Sequence, residues 1–169
     1  MTVTTVGVDA PNWSARPIAE ADHEAVLAMF EEPDFYFRTG LPGTRSQREI
    51  LELLDEDVRL LLADGRPIGL YGVEAAGPEA GCHYQIDLRL RAEAPADWWR
   101  AAYAEIVRAL RWRGEVVRIV MRFGEYDERA IAAVRDIGLT DEGTLKNLVV
   151  HEGRRAGHVF FSQIWAPLS

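Results

Sequence analysis

Several residue types and features are scarce in this chain of 169 residues. Cys82 is the only cysteine, which excludes an internal disulfide and any metal site built from several cysteines. Lys146 is the only lysine, so arginine carries nearly all the positive charge, a bias that indicates a GC-rich bacterial genome. No apolar run approaches the roughly 20 residues of a membrane-spanning helix, and the first residues lack the pattern of a signal peptide. These absences predict a cytoplasmic protein with no membrane partner.

The charge balance is acidic, with 27 Asp and Glu against 19 Lys and Arg, which gives a formal net charge of -8. Such a field repels a phosphate backbone, so nucleic acid is excluded as a partner. The composition, 48% hydrophobic and 27% charged, is typical of one compact domain. We expect a flexible N-terminal tail at 1–13 and a single domain at 14–169.

The hydrophobic pattern predicts an α/β fold with a mixed central sheet flanked by helices. In the stretch 82–90, apolar side chains alternate with polar ones, which predicts a strand with one face that is wet or lines a cleft. Strand patterns lie at 14–18, 58–63, 67–74, 82–90, 116–123, 144–151 and 157–165, and helical patterns at 21–30, from 46 onwards, at 95–113 and at 127–138.

The last third of the chain carries the motifs of a known family. They are DERAI at 127–131, IGLTDEGTL at 137–145, EGR at 152–154 and FFS at 160–162. The chain resembles the GNAT acyl-CoA-dependent N-acetyltransferases, especially their RimJ/RimL-like branch, with Asp127 in place of the usual Asn and Leu139 in place of Phe. The resemblance implies the GNAT fold, with a splayed central strand pair. It also implies transfer of an acetyl or other short acyl group from coenzyme A to an amine of a small molecule, peptide or protein N-terminus, without a metal.

The resemblance further implies where acetyl-CoA or another acyl-CoA would lie. Pantetheine would pair with backbone groups of the central strand, and the start of the following helix would hold the pyrophosphate. The residues that correspond to this site are Leu88, Leu90, Arg91, Ala94, Ala96, Trp98, Asp127 and Ala130.

The glycine motif that the family uses for pyrophosphate is replaced here by the segment 93–98. Glu93 and Asp97 add negative charge, Pro95 removes an N–H donor, and Trp98 adds bulk on the side that helical phasing turns towards the cofactor cleft. Arg89, Arg91 and Arg100 supply nearby cations instead. The alternative interpretation is a GNAT-like domain that has lost or replaced acyl-CoA binding and binds a small molecule or a protein.

An N-acetyltransferase has to remove a proton from an amine, so the resemblance directs attention to bases on the central strand. His83 and Asp87 share its polar face, and either is the candidate base. The alternative is that both belong to a solvated strand face. Many family members carry a tyrosine acid in the last helix, where this chain has Val134.

Other polar and aromatic residues allow two interpretations each. Tyr36, Phe37 and Arg38 lie in the region that usually shapes the acceptor pocket, and the alternative is that the loop aromatics are anchored in the core. Trp99 is predicted to pack on the sheet. His151 and His158 are too weak a pattern to predict a metal site. The closing strands offer an edge for a homodimer.

Overall fold

The computed structural model describes residues 10–77 and 82–166, in which seven strands and four α-helices are found. The predicted tail at 1–13 falls mainly on residues 1–9, which lie outside the described residues. The elements are β1 (Trp13–Pro17), α1 (His23–Phe30), α2 (Gln47–Leu51), β2 (Val58–Ala63), β3 (Arg66–Ala75), β4 (His83–Leu90), α3 (Ala96–Arg113), β5 (Arg118–Gly124), α4 (Glu128–Ile137), β6 (Thr140–His151) and β7 (Arg154–Ile164).

The strands form one mixed sheet in the order β1-β2-β3-β4-β5-β7-β6. Neighbouring strands are antiparallel except for β4 and β5, which are parallel and joined through α3. The prediction of a mixed sheet flanked by helices is confirmed. β6 lies at one edge of the sheet and begins at Thr140, earlier than the pattern at 144–151 indicated. Whether this edge forms a homodimer stays a prediction.

Local sequence accounts for several boundaries. Asp64 and Gly65 connect β2 to β3 with φ of 50° and 75°, the left-handed conformation that a tight hairpin turn requires. α4 begins after Asp127, whose carboxylate accepts from the Ala130 N–H, and ends at Gly138, with φ of 97°. These turn and cap residues explain why the hairpin and α4 are found where the sequence predicts them.

The two faces of the sheet carry separate cores. α1 and α2, with the loop between them, cover the face formed by Leu60, Leu70 and their neighbours. α3 and α4 cover the other face, where Ile86, Leu88 and Leu90 of β4 are buried. β4 therefore presents its polar residues to the side of the α1–α2 loop, and this face lines a cleft, as the alternation allowed.

β4 and β5 separate along part of their length. They pair only from His83 with Arg118 to Gln85 with Val120. Beyond that point β4 stays paired with β3 as far as Leu90, while β5 stays paired with β7. The splayed central strand pair is thus confirmed, and the gap opens at the carboxyl ends of both strands.

The backbone of β4 points into this gap at alternate residues. The Arg91 N–H donates to the Ile68 carbonyl at 2.8 Å, so the odd-numbered residues of β4 turn their backbone groups towards β3. Leu88 and Leu90 therefore turn theirs towards β5, where no strand pairing meets them. The resemblance implied this orientation of Leu88 and Leu90, whose backbone groups would pair with pantetheine.

In residues 10–77 and 82–166, no helix is long and apolar enough to cross a membrane. Within the same ranges, no three His, Cys, Asp or Glu side chains come together in a way that could hold a metal ion.

A partly exposed ion pair ties β1 to the segment before α1. Arg16 donates to both carboxylate oxygens of Asp22 at 2.6 and 2.8 Å, and the Ala19 N–H donates to one of them at 2.8 Å. The bonds from Arg16 and Ala19 lower the pKa of Asp22 from 3.8 to about 2. Because the folded pKa lies below the unfolded one, the pair stabilises the protein above pH 3.8, and this contribution is lost as the pH falls towards 2.

We expect Asp22→Asn to lower the free energy of unfolding by about 1–2 kcal/mol at neutral pH, a range reduced for the solvent access of Arg16. Urea denaturation of both proteins should show the difference shrinking as the pH drops from 3.8 towards 2. Glu52→Gln, which breaks an exposed pair with Arg48, is the control and should change stability by less than about 0.5 kcal/mol. A difference for Asp22→Asn that does not vary with pH would contradict this interpretation.

Candidate active site

A cavity of about 640 Å³ lies where β4 and β5 separate. Its walls are the α1–α2 loop, the polar face of β4, the end of β5 and the β6–β7 hairpin. The polar and aromatic side chains that line it include Tyr36, Arg38, Arg45, Glu49, Glu74, Gln85, Asp87, Arg122, Tyr126, Asp127 and His158. The cavity therefore combines acids, cations and a histidine at the mouth of the splay.

Arg38 organises the acidic wall of the cavity. Its Nε donates to Asp87 Oδ2 at 2.8 Å and its Nη2 to Asp57 Oδ2 at 2.6 Å. Asp55 and Glu74 lie at 3.7 and 3.5 Å from the same guanidinium. Burial opposes the charge of Arg38, but the hydrogen bonds that Arg38 donates to Asp57 and Asp87 outweigh it and raise the pKa of Arg38. Four carboxylates around one cation leave this wall negatively charged.

A glycine makes room for this arginine. A Cβ atom at Gly72 of β3 would lie 2.4 Å from Nη2 of Arg38 and 3.1 Å from Asp57. Arg38 itself has a φ of 56°, a conformation that a non-glycine residue adopts at a cost. The loop is therefore held in a strained form by the bonds of Arg38 to the sheet.

A second ion pair crosses the splay. Arg89 of β4 donates through both terminal nitrogens to Asp127, the residue before α4, with distances of 2.8 Å. The two side chains are only 1% and 3% exposed. The guanidinium lies between the rings of Tyr36 and Trp99, at 5.4 and 5.7 Å from their centroids. Burial lowers the pKa of Arg89 and raises that of Asp127, so each charge depends on the other.

Arg129 also reaches the splay from the first turn of α4. Its Nη1 donates to the Leu90 carbonyl at 3.0 Å, and its Nε donates to Asp34 at 2.9 Å. The carbonyl that the resemblance assigned to pantetheine therefore already has a side-chain donor. Arg89 and Arg129 thus lie between β4 and α4, and each is hydrogen-bonded to a carboxylate.

His158 of β7 also lines the cavity, and the sequence analysis did not consider it as a base. β7 pairs His158 with Gly124, at the end of β5. Its Nδ1 is buried without a hydrogen-bond partner, so Nε2 is the nitrogen open to the cavity. Burial lowers the pKa of His158 below 6.5, and the charge of Arg122 lowers it further. At neutral pH the imidazole is therefore neutral and able to accept a proton.

Tyr126 adds a proton donor at the same end of the cavity. Its ring stacks on His151 at 3.6 Å and lies edge-on to Tyr36 at 5.0 Å. A Cβ at Gly40 would lie 2.3 Å from the Tyr126 hydroxyl and one at Gly124 would lie 2.3 Å from its ring, so both glycines make room for this side chain. Burial raises the pKa of Tyr126, which keeps its hydroxyl protonated. The family places its tyrosine acid in the last helix, where this chain has Val134. That comparison does not point to Tyr126, because Tyr126 precedes the helix.

The predicted polar residues separate in the structure. Asp87, Tyr36 and Arg38 line the cavity. His83 does not: it lies where β4 and β5 are still paired, opposite Arg118, with Nε2 buried and without a partner. Phe37 borders the cavity but is only 1% exposed, because its ring packs against Phe30, so the core alternative holds for this residue.

The predicted orientation of Trp98 is corrected. Its ring contacts Trp13 of β1 at 5.5 Å, which turns it away from the splay. Trp99 is the indole beside the splay, 2% exposed and in contact with Arg89 and Arg129, and it also packs on the sheet as predicted. Helical phasing did not predict this orientation, because Trp98 contacts a residue of β1, which is distant in the sequence.

Several backbone N–H groups around the start of α3 are already bonded. The N–H groups of Ala92, Ala94 and Trp98 are bonded to Glu32, to the Arg91 carbonyl and to the Pro95 carbonyl. Pro95 has no N–H, and no side chain caps the helix. Ala96 is a small residue at this uncapped helix start. The residues present would offer a pantetheine arm the backbone of Leu88 and Leu90, and would offer phosphates the start of α3 and the side-chain cations Arg91 and Arg129.

No protein-family model matches the chain, and no curated protein matches its sequence. Solved structures do match. The ribosomal-protein-alanine N-acetyltransferase from Brucella melitensis is 20% identical with a TM-score of 0.68, covering 90% of this chain and 99% of the other.

Two further structures agree with it. A GNAT-family acetyltransferase from Bacillus anthracis is 13% identical with a TM-score of 0.70, covering 92% of this chain and 96% of the other. RimL, an acetyltransferase of ribosomal L7/L12, in complex with coenzyme A, is 16% identical with a TM-score of 0.68, covering 90% and 93%. At these identities the likeness concerns the fold. This chain therefore has the fold of the GNAT acetyltransferases.

Proposed function

We propose that this protein is an N-acyltransferase that moves an acetyl or other short acyl group from an acyl-CoA to an amine of a small molecule or peptide. The observation that carries the proposal is the splay between β4 and β5, which opens onto a cavity with an acidic wall and a neutral histidine. The acidic wall would bind the amine as an ammonium ion, and the neutral histidine would accept the proton that the amine has to lose.

The donor would lie in the splay. Leu88 and Leu90 would bind the pantetheine arm through their backbone, next to the small side chain of Ala130 at the start of α4. Arg91 and Arg129 would bind the phosphates once they release Glu32 and Asp34. When bound, the donor supplies the acyl thioester.

The acceptor would be handled by residues of the cavity. Asp87 and Glu74 attract the ammonium group, while Nε2 of His158 accepts its proton. When the C–S bond of the thioester breaks, the protonated Tyr126 hydroxyl would donate a proton to the leaving thiolate. His158 replaces Asp87 and His83 as the proposed base, because Asp87 is bonded to Arg38 and His83 lies outside the cavity.

A second candidate function is a domain that binds an amine ligand without acyl transfer. It is favoured by the ion pair between Arg89 and Asp127 and by the bond from Arg129 to Leu90, which occupy the donor's place in the splay. The two functions differ in whether acetyl-CoA binds.

Calorimetric titration with acetyl-CoA tests the first function. We expect the wild-type protein to bind in the micromolar range. Arg129→Glu should weaken binding by about tenfold or more, because it reverses a charge at the splay. Arg135→Glu makes the same change near the far end of α4, where the side chain is 62% exposed, and should alter the affinity by less than about twofold.

The outcomes separate the candidates. Binding that is weakened equally by both substitutions would place the donor outside the splay and contradict the proposed site. No heat at millimolar acetyl-CoA with a correctly folded protein would exclude the acyltransferase and leave the amine-binding domain.

A further inference from the structure

Two opposite charges face each other across the splay without touching. β4 and β5 are in register from His83 with Arg118 to Gln85 with Val120, so Asp87 and Arg122 stand at the same level two residues further on. Both line the cavity, yet they form no ion pair within 4.0 Å, because the strands have separated at this level. The gap between the two side chains is open to a ligand.

Arg122 differs from the other cations of the cavity. Arg38 is bonded to Asp57 and Asp87, and Arg45 is bonded to Thr39 and faces Glu49. Among the described residues Arg122 is exposed and has no hydrogen bond or ion pair, and its charge is felt by the neighbouring His158. The cavity thus has an acidic wall at Asp87 and an uncompensated cation opposite.

We propose that the acceptor is an amine that also carries a carboxylate, of the amino-acid type, and that Arg122 binds this carboxylate. The inference rests on the proposed function, since it specifies the acceptor of that site. The ammonium lies towards Asp87 and Glu74, and the planar guanidinium of Arg122 matches a carboxylate with two parallel hydrogen bonds. The amine is then held beside His158, on the mouth of the splay.

Binding and turnover are measured separately. Saturation-transfer NMR of the free protein compares a pool of standard L-amino acids with a pool of their primary amides, which keep the amine and lose the carboxylate. Ethanolamine phosphate is a third probe. The same compounds are then incubated with acetyl-CoA, and mass spectrometry detects acetylated products.

We expect at least one amino acid to bind about tenfold or more tightly than its amide, because the amide leaves Arg122 without an anion. Arg122→Met keeps the length of the side chain and should abolish this preference. Arg113→Met removes an exposed arginine at the end of α3 and should preserve it.

The results distinguish the two proposals. Equal binding of acids and amides, a preference that survives Arg122→Met, no binding of either pool, or tighter binding of ethanolamine phosphate would each overturn the amino-acid acceptor. Acetylation of the amides or of ethanolamine phosphate, but of no amino acid, would do so while the acyltransferase stands. A carboxylate preference that depends on Arg122, without any binding of acetyl-CoA, supports the acceptor site and overturns the acyl transfer.

Discussion

Replacement of Asp127 by alanine is expected to lower the free energy of unfolding by about 3–5 kcal/mol, measured by urea denaturation. The carboxylate is 3% exposed and accepts three hydrogen bonds from Arg89, so its removal leaves a buried guanidinium without a counter-charge. The Ala130 N–H at the start of α4 also loses its acceptor.

Asp136→Ala is the matched control. It removes a carboxylate from the same helix, but the pair of Asp136 with Arg100 is 62% and 55% exposed, so the loss should stay below about 1 kcal/mol. The double variant Arg89→Leu with Asp127→Asn removes both charges and keeps a capping side chain. It should recover most of the lost stability, because two buried charges no longer need each other. If Asp127→Ala costs no more than Asp136→Ala, the buried pair does not hold β4 to α4.

Sequence patterns predict those parts of the fold that depend on residues close in the chain. The β2–β3 turn follows from Asp64 and Gly65, and the limits of α4 follow from Asp127 and Gly138, because a turn or a cap is satisfied within a few residues. The separation of β4 and β5 was predicted only from the resemblance to a family. Nothing in the alternation along β4 shows that its parallel neighbour leaves it after Gln85.

The site depends instead on contacts between distant residues. Arg38 and Asp87 are 49 positions apart and Arg89 and Asp127 are 38 apart, and no periodicity relates them. The role of His158 depends on the register of β7, since a slip of one residue would turn the imidazole to the other face of the sheet. The sequence therefore predicted the polar face of β4, whereas the base that we propose, His158, lies on β7.

Replacement of His158 by glutamine is expected to have the largest effect on activity. Glutamine keeps the size and polarity of the side chain but does not titrate, so kcat/KM for acetyl transfer to the best acceptor amine should fall by about 10²–10⁴-fold with stability nearly unchanged. His83→Gln makes the same change outside the cavity and should leave the rate as it is. A rate retained by His158→Gln would show that another group takes the proton.

The pH profile gives an independent readout of the same residue. A base has to be deprotonated to act, and burial and Arg122 lower the pKa of His158, so the acid limb of kcat/KM for the wild-type protein should lie below pH 6.5. Other charged or titratable groups at this end of the cavity include Glu125, which accepts from the Gly157 N–H, and Tyr126 and Asp127 after β5. Arg122→Met removes the cation that lowers the pKa of His158, so the limb should move to higher pH even though the rate itself also falls through weaker acceptor binding. A limb that stays in place in Arg122→Met, or that persists in His158→Gln, would assign the titration to a different group, because the charge of Arg122 acts on the pKa of His158.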